Sequence, residues 1–234
     1  MPLSLTTRSL GDVTVVACTG RIVAGPENES LRDHIRGFLP ERRDVVLDMG
    51  GIAFIDSSGL GTLVRLLTSL RQAQGDLKLC NLPEDVRKLL KLTSLISLFD
   101  THGCEEDAVS AFYQRTTTAR QPDSAGPTVL CVDASSDVLA YLRELLRRAG
   151  YNVLSSGNVR DSLILMRAAR PALLVVGGNL NAPAGIWESF RTLSATVPVI
   201  ELGDGFSTSD AGPAAADLLE KVRSRLSARS GVAC

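Results

Sequence analysis

The sequence predicts two α/β domains in tandem, on three observations. The chain has 234 residues, comfortable for two cores of ordinary domain size. Apolar strand-like runs alternate with segments of helical spacing in both halves. Between them, Thr116 to Pro127 reads Thr-Thr-Thr-Ala-Arg-Gln-Pro-Asp-Ser-Ala-Gly-Pro, small and polar with no apolar period, which predicts a linker. The expected boundaries are therefore 1–115 for the first domain, 116–127 for the linker and 128–230 for the second domain.

In the first half, Leu3 to Ser9 and Val13 to Cys18, joined at Gly11-Asp12, predict a β-hairpin. Gly20 to Pro26 is expected as a loop. From Glu27 to Phe38, Leu31, Ile35 and Phe38 share helical spacing, and Leu39-Pro40 ends the helix. Asp44 to Asp48 and Ile52 to Ile55 are apolar strand material bounded by Gly50-Gly51 and Asp56. Leu60, Leu63, Val64, Leu67 and Leu70 then mark an amphipathic helix to about Gln74. Leu77 to Leu82 predicts a strand, and Pro83-Glu84-Asp85 opens a helix with proline and acids in its first turn. Glu105 to Tyr113 is a last helix. The sum is a mixed sheet with helices against one side.

Beyond the linker, Thr128 to Asp133 predicts a strand and Val138 to Ala149 a helix, with Leu139, Leu142, Leu145 and Leu146 inward and Gly150 at its end. The strand Tyr151 to Leu154, the helix Asp161 to Arg170 and the strands Pro171 to Val176 and Val197 to Leu202 follow. Strands alternating with helices at this spacing imply a parallel, doubly wound sheet.

Composition narrows the function. Lysine and arginine number 25 against 26 acidic residues with no long single-sign run, so the footprint of a nucleic-acid binder is missing. No apolar run approaches the length that spans a bilayer and no leader pattern opens the chain, so the expected location is the cytoplasm, with no membrane partner. Cys18, Cys80, Cys104, Cys131 and Cys234 form no C-x-x-C pair and read as reduced thiols, three of them in apolar runs. His34 and His102 offer no histidine-rich metal site, and the closeness of Cys104 to His102 reads as a loop coincidence. No cofactor is expected. Gly59-Leu60-Gly61 opens a helix after a strand, but Val64 stands where a dinucleotide loop needs its third glycine. A hydrolase built on Ser57 lacks a nearby base. Arg143, Arg147 and Arg148 read as a solvated helix surface.

The most informative stretch is Asp56-Ser57-Ser58-Gly59-Leu60-Gly61, where a buried strand turns into a helix. Ser57 and Ser58 fall in the first turn, where backbone N–H groups lack partners and the macrodipole is positive, a setting that tolerates a phosphate. The residues alone are equally consistent with a helix cap and two glycines for close packing. Taken with Ile52 to Ile55, Leu77-Lys-Leu-Cys-Asn-Leu82 and Val86-Arg-Lys-Leu-Leu-Lys-Leu92, the stretch resembles the anti-sigma factor antagonists of the STAS family, over about Leu3 to Tyr113.

That resemblance implies a protein that is not an enzyme: a partner-switching module of bacterial signalling that sequesters an anti-sigma serine/threonine kinase and so regulates transcription. It implies phosphorylation at Ser57, with Ser58 as second candidate, reversal by a serine phosphatase, and partner binding through Asp56, Gly59, Leu60 and Gly61. Where the family often carries acids after its second strand, this chain has Gly20-Arg21-Ile22-Val23-Ala24-Gly25, which alters any kinase contact made there. Two other roles keep the same fold: a non-switching STAS scaffold or transporter-complex subunit, and a phosphorelay output protein governed by the second domain.

The second half, by the order and length of its elements, resembles a response-regulator receiver domain, and the resemblance places an acid pair, a phosphoacceptor aspartate, a hydroxyl and a lysine at its strand ends. Here Asp133 is followed by Ala134, the acceptor position is Gly177, the hydroxyl position is Gly203 and no lysine ends a fifth strand. The expectation is a pseudo-receiver without phosphoryl chemistry, with a short segment after Gly203 that reduces the fourth helix and fifth strand. Self-association is its expected use.

Overall fold

The computed structural model describes residues 1–38, 43–119, 126–178, 180–203 and 211–230. It divides into two units, Met1–Phe112 and Tyr113–Cys234.

The first unit opens with β1 (Ser4–Leu10) and β2 (Val13–Ile22), an antiparallel hairpin whose two-residue turn has Gly11 at φ 60°. α1 (Pro26–Arg36) starts on proline with Glu27 and Glu29 in its first turn, as its dipole favours. β3 (Asp44–Ile55), α2 (Ser57–Gln72), β4 (Asp76–Cys80), α3 (Glu84–Leu92), β5 (Asp100–His102) and the part of α4 (Glu105–Ala119) up to Phe112 complete it. The sheet order is β1-β2-β3-β4-β5, antiparallel only at β1 and parallel elsewhere. The mixed sheet is as expected from the sequence.

Four expectations need correction. β2 runs on to Ile22, through residues expected as a loop, because its ladder with β3 continues to Ile22↔Ile55. For the same reason Gly50-Gly51 does not break β3: the ladder absorbs them in a register shift between Ala17 and Thr19. The sheet is also covered on both faces. Leu77 and Leu79 join Leu31, Ile35, Leu63, Leu67, Val86 and Leu90 of α1, α2 and α3 in one core, while Lys78 between them must point the other way. There it is fully buried, its ammonium 4.8 Å from the centre of the Phe112 ring of α4 and paired with Asp100. Finally, α4 extends to Ala119, past Thr116 where the linker was expected to begin. β5 was not expected at all, since three residues carry too little period to read. The Leu39-Pro40 stop falls outside the described residues.

The second unit comprises β6 (Thr128–Val132), α5 (Ser136–Arg148), β7 (Asn152–Ser156), α6 (Val159–Ala169), β8 (Leu173–Val176), α7 (Ala184–Ser194), β9 (Val199–Glu201) and α8 (Ala211–Ser230). Its sheet is wholly parallel in the order β7-β6-β8-β9. Val129, Cys131 and Val175 pack with Leu142 and Leu146 of α5 and Leu218 and Val222 of α8. Leu130, Leu154 and Leu174 face the opposite way and are equally buried, as strands of a parallel sheet are. Ser135 caps α5, its hydroxyl accepting from the Val138 N–H at 3.4 Å, and Asn158 caps α6. Helix α7 was not anticipated. Among the described residues the sheet has four strands.

Candidate phosphorylation and partner-binding site

The site is built where β3 hands over to α2. Asp56, in extended backbone at φ −98°, is the N-cap: its Oδ1 accepts the Gly59 N–H at 2.7 Å. Its Oδ2 accepts the Ala24 N–H at 3.0 Å, and its own N–H donates to the Ile22 carbonyl at 3.2 Å. One side chain thus ties the end of β2 and the loop after it to the head of α2. The hydrogen bonds from Ala24 and Gly59 hold the Asp56 carboxyl below the usual carboxylate range, against a smaller opposing push from burial.

The two serines differ. Ser57 is exposed in the first turn. Ser58 is half-buried and accepts a hydrogen bond from Asn28 Nδ2 of α1 at 2.9 Å. Asn28 is itself buried, and its Oδ1 has no partner. It went unnoticed in the sequence, although a polar residue in register with Leu31 and Ile35 on one helix face is a legible signal.

Gly59 and Leu60 are not the bare partner surface expected of them. Leu60 is buried in the core, and a Cβ at Gly59 would sit 2.4 Å from the Ile22 carbonyl oxygen and 2.7 Å from Ile55 Cγ1. Their work is to let α2 lie close on the sheet. Gly61 is half-exposed, and a Cβ there would lie 3.7 Å from the Arg65 guanidinium. The outward residues around the cap are therefore Ser57, Gly61 and Phe54, a large apolar side chain left more than half exposed. Phe54 was read as buried with its neighbours. It is open because β4 pairs with β3 only over Asp44 to Asp48.

In the second unit, Asp133 is buried and its Oδ1 accepts the Ser135 N–H at 2.7 Å. Its other carboxylate oxygen lies 1.7 Å from where a Cβ on Gly177 would stand. The acid thus fills the space a side chain at 177 would need. Ala134 and Gly203 are exposed.

Cys18, Cys80 and Cys131 are buried free thiols and Cys104 is exposed. Burial pushes Cys18 and Cys131 up to about 12, so neither ionises near neutrality. Cys234 lies outside the described residues. Among the described residues no group of three metal-ligating side chains gathers, and no helix is long and apolar enough to cross a membrane.

A mixed five-stranded sheet with an exposed serine at an aspartate-capped helix start defines a small α/β domain. The model of the STAS domain matches residues 4–108, and a Bordetella bronchiseptica protein named as an anti-sigma factor antagonist, BtrV, is 32% identical over 102 residues, 43% of this chain and 88% of BtrV. Through its first unit the chain belongs to the STAS domain family. Among solved structures it is similar to an anti-sigma factor antagonist from Mycobacterium paratuberculosis, at 22% identity and a TM-score of 0.42 over 47% of this chain and 92% of that one. It is similar also to SpoIIAA of Bacillus in its phosphorylated form, at 19% identity and a TM-score of 0.39 over 47% of this chain and 99% of that one.

Proposed function

We propose that the chain is a phosphorylation-switched anti-sigma factor antagonist that acts in the cytoplasm and is not an enzyme. Unphosphorylated, it binds an anti-sigma serine/threonine kinase through the surface around Ser57, and a sigma factor is released. The kinase phosphorylates Ser57, and a serine phosphatase restores the binding form. The observation that carries this reading is the difference between the serines: Ser57 is exposed, whereas Ser58 is engaged by Asn28. A phosphate on Ser57 brings close to two negative charges beside the Asp56 carboxylate. Burying them in an interface without new basic partners disfavours binding.

The second unit serves here as a silent receiver-like module. Gly177 has no carboxylate on which an acyl phosphate could form, and one acid, Asp133, with Ala134 beside it makes a poor magnesium cage. Its parallel sheet and helix faces serve self-association or a sensory partner.

The test is to isolate the kinase that co-purifies with the Ser57→Ala chain, incubate it with ATP and the unaltered full chain, and map the modified peptide. Modification at Ser57, tight binding of Ser57→Ala and weaker binding of Ser57→Asp are expected. Modification only at Ser58, or equal affinities of the two variants, overturns the switch.

A further inference from the structure

α1 and α2 pack together, joined near their heads by the Asn28–Ser58 hydrogen bond. Further along, a groove of about 350 Å³ opens between them, with Arg32 and Arg36 on one wall and Thr62, Arg65, Leu66 and Ser69 on the other. Among the described residues, three guanidinium groups line it and no carboxylate does. α2 has no acidic residue anywhere along Ser57–Gln72. Among the described residues, the ion pair at the groove is that of Arg32 with Asp33, 3.7 Å from Arg32 Nε and too long for a hydrogen bond, and that Nε is enclosed without a hydrogen-bond partner. Among the described residues Arg36 and Arg65 form no ion pair. Since the whole chain has a formal charge of −1, this positive groove is a local arrangement, not a by-product of overall basicity.

We propose that the groove docks an acidic segment of the same kinase that reads Ser57, a proposal that rests on the function given above. Arg32 and Arg36 are one helical turn apart, which sets their Cβ atoms about 6 Å from each other. Carboxylates on successive turns of a partner helix match that spacing, and each guanidinium fork can hold a carboxylate through two parallel hydrogen bonds. Leu66 supplies an apolar floor that an amphipathic protein segment covers and a free inorganic anion does not. The groove also continues from the helix that carries Ser57. Ser57 and Arg65 are eight residues apart, about 12 Å along the axis, against a Debye length of about 8 Å at physiological salt. A phosphate on Ser57 therefore leaves most of the groove's field intact: the groove guides the partner in, and Ser57 decides whether it stays.

The test uses the full chain carrying Ser57→Ala and the kinase purified with it, with association followed over a range of salt. The pair Arg36→Glu and Arg65→Glu is expected to weaken binding about tenfold, mainly through a slower association rate, and to flatten the salt dependence. Lys91→Glu, an equally exposed cation on α3, is expected to change binding less than twofold. The milder pair Arg36→Gln and Arg65→Gln, which removes charge without reversing it, should give an intermediate loss and guards against misfolding of the reversal. Unchanged affinity and salt slope in both pairs overturn the groove while leaving the Ser57 switch standing. Pyrophosphate bound in the groove at micromolar concentration, with kinase binding untouched by either pair, replaces it with a small-anion site. If the Ser57→Ala chain captures no kinase, the Ser57 reading falls and this proposal falls with it.

Discussion

Asp56 gathers the Gly59 and Ala24 N–H groups on its carboxylate. Asp56→Ala should cost about 1 kcal/mol in denaturant unfolding near neutral pH, the usual loss on removing an N-cap. Because the folded state holds this carboxyl below its ordinary value, its stabilisation is complete above the unfolded-state pKa and fades as pH falls through the lower, folded-state one. The gap between parent and variant should therefore close in acid, and a gap that stays constant down to the acid-unfolding limit would refute the assignment. Three residues on, Gly59→Ala would drive a methyl into the Ile22 carbonyl and should cost about 1–3 kcal/mol, as overpacking does. Gly61→Ala meets nothing closer than the Arg65 guanidinium at 3.7 Å and should be neutral or stabilising by up to about 1 kcal/mol. Equal unfolding midpoints for the two glycine variants would show that the close approach at Gly59 has no energetic weight.

At the scale of elements, α4 closes the face of the sheet that α1, α2 and α3 leave open. Its Ala108, Val109 and Phe112 are buried, and Phe112 lies over Lys78. The four-carbon stem of Lys78 fills space under that ring while Asp100, half exposed, meets the ammonium. Lys78→Met keeps the volume and leaves Asp100 access to water, so it should cost less than about 1.5 kcal/mol, as volume-conserving swaps do. Lys78→Ala leaves a cavity and should cost about 2–5 kcal/mol. Thermal unfolding of the two variants distinguishes packing from charge: if Lys78→Met proves as damaging as Lys78→Ala, the ammonium and its partners, not the stem, carry the contribution of Lys78.

For the whole molecule, each of the two units contains its own core, so a piece ending at residue 119 should fold, and should bind the kinase as the full chain does. A piece ending at residue 104 loses α4, exposes Lys78 and Cys80, and should not give a cooperative transition. The second unit should take no phosphate from acetyl phosphate, read by intact mass. Gly177→Asp should not rescue it, because the Asp133 carboxylate already occupies the space of a Cβ there. A labelled Gly177→Asp chain would mean that Asp133 swings away at little cost.

Much of this was legible in the sequence, and the physical reason is locality. Hydrophobic period, turn residues and first-turn acids act over a few positions, so the hairpin at Gly11-Asp12, the helix from Ser57, the strand from Thr128 and, two residues early at Pro171, the strand to Val176 could be placed from neighbours alone. The motif around Asp56 likewise announced a capped helix start. What the sequence could not decide depended on partners distant in the chain. Whether Gly50-Gly51 ends a strand was settled by how far β2 continues alongside. Lys78 became a core residue only because α4 returned over it, and Phe54 stayed exposed because β4 stops short. The two adjacent serines are alike in sequence. Asn28, thirty residues upstream, takes one and leaves the other to solvent, and no local pattern encodes that distinction, because it exists only once α1 has packed on α2.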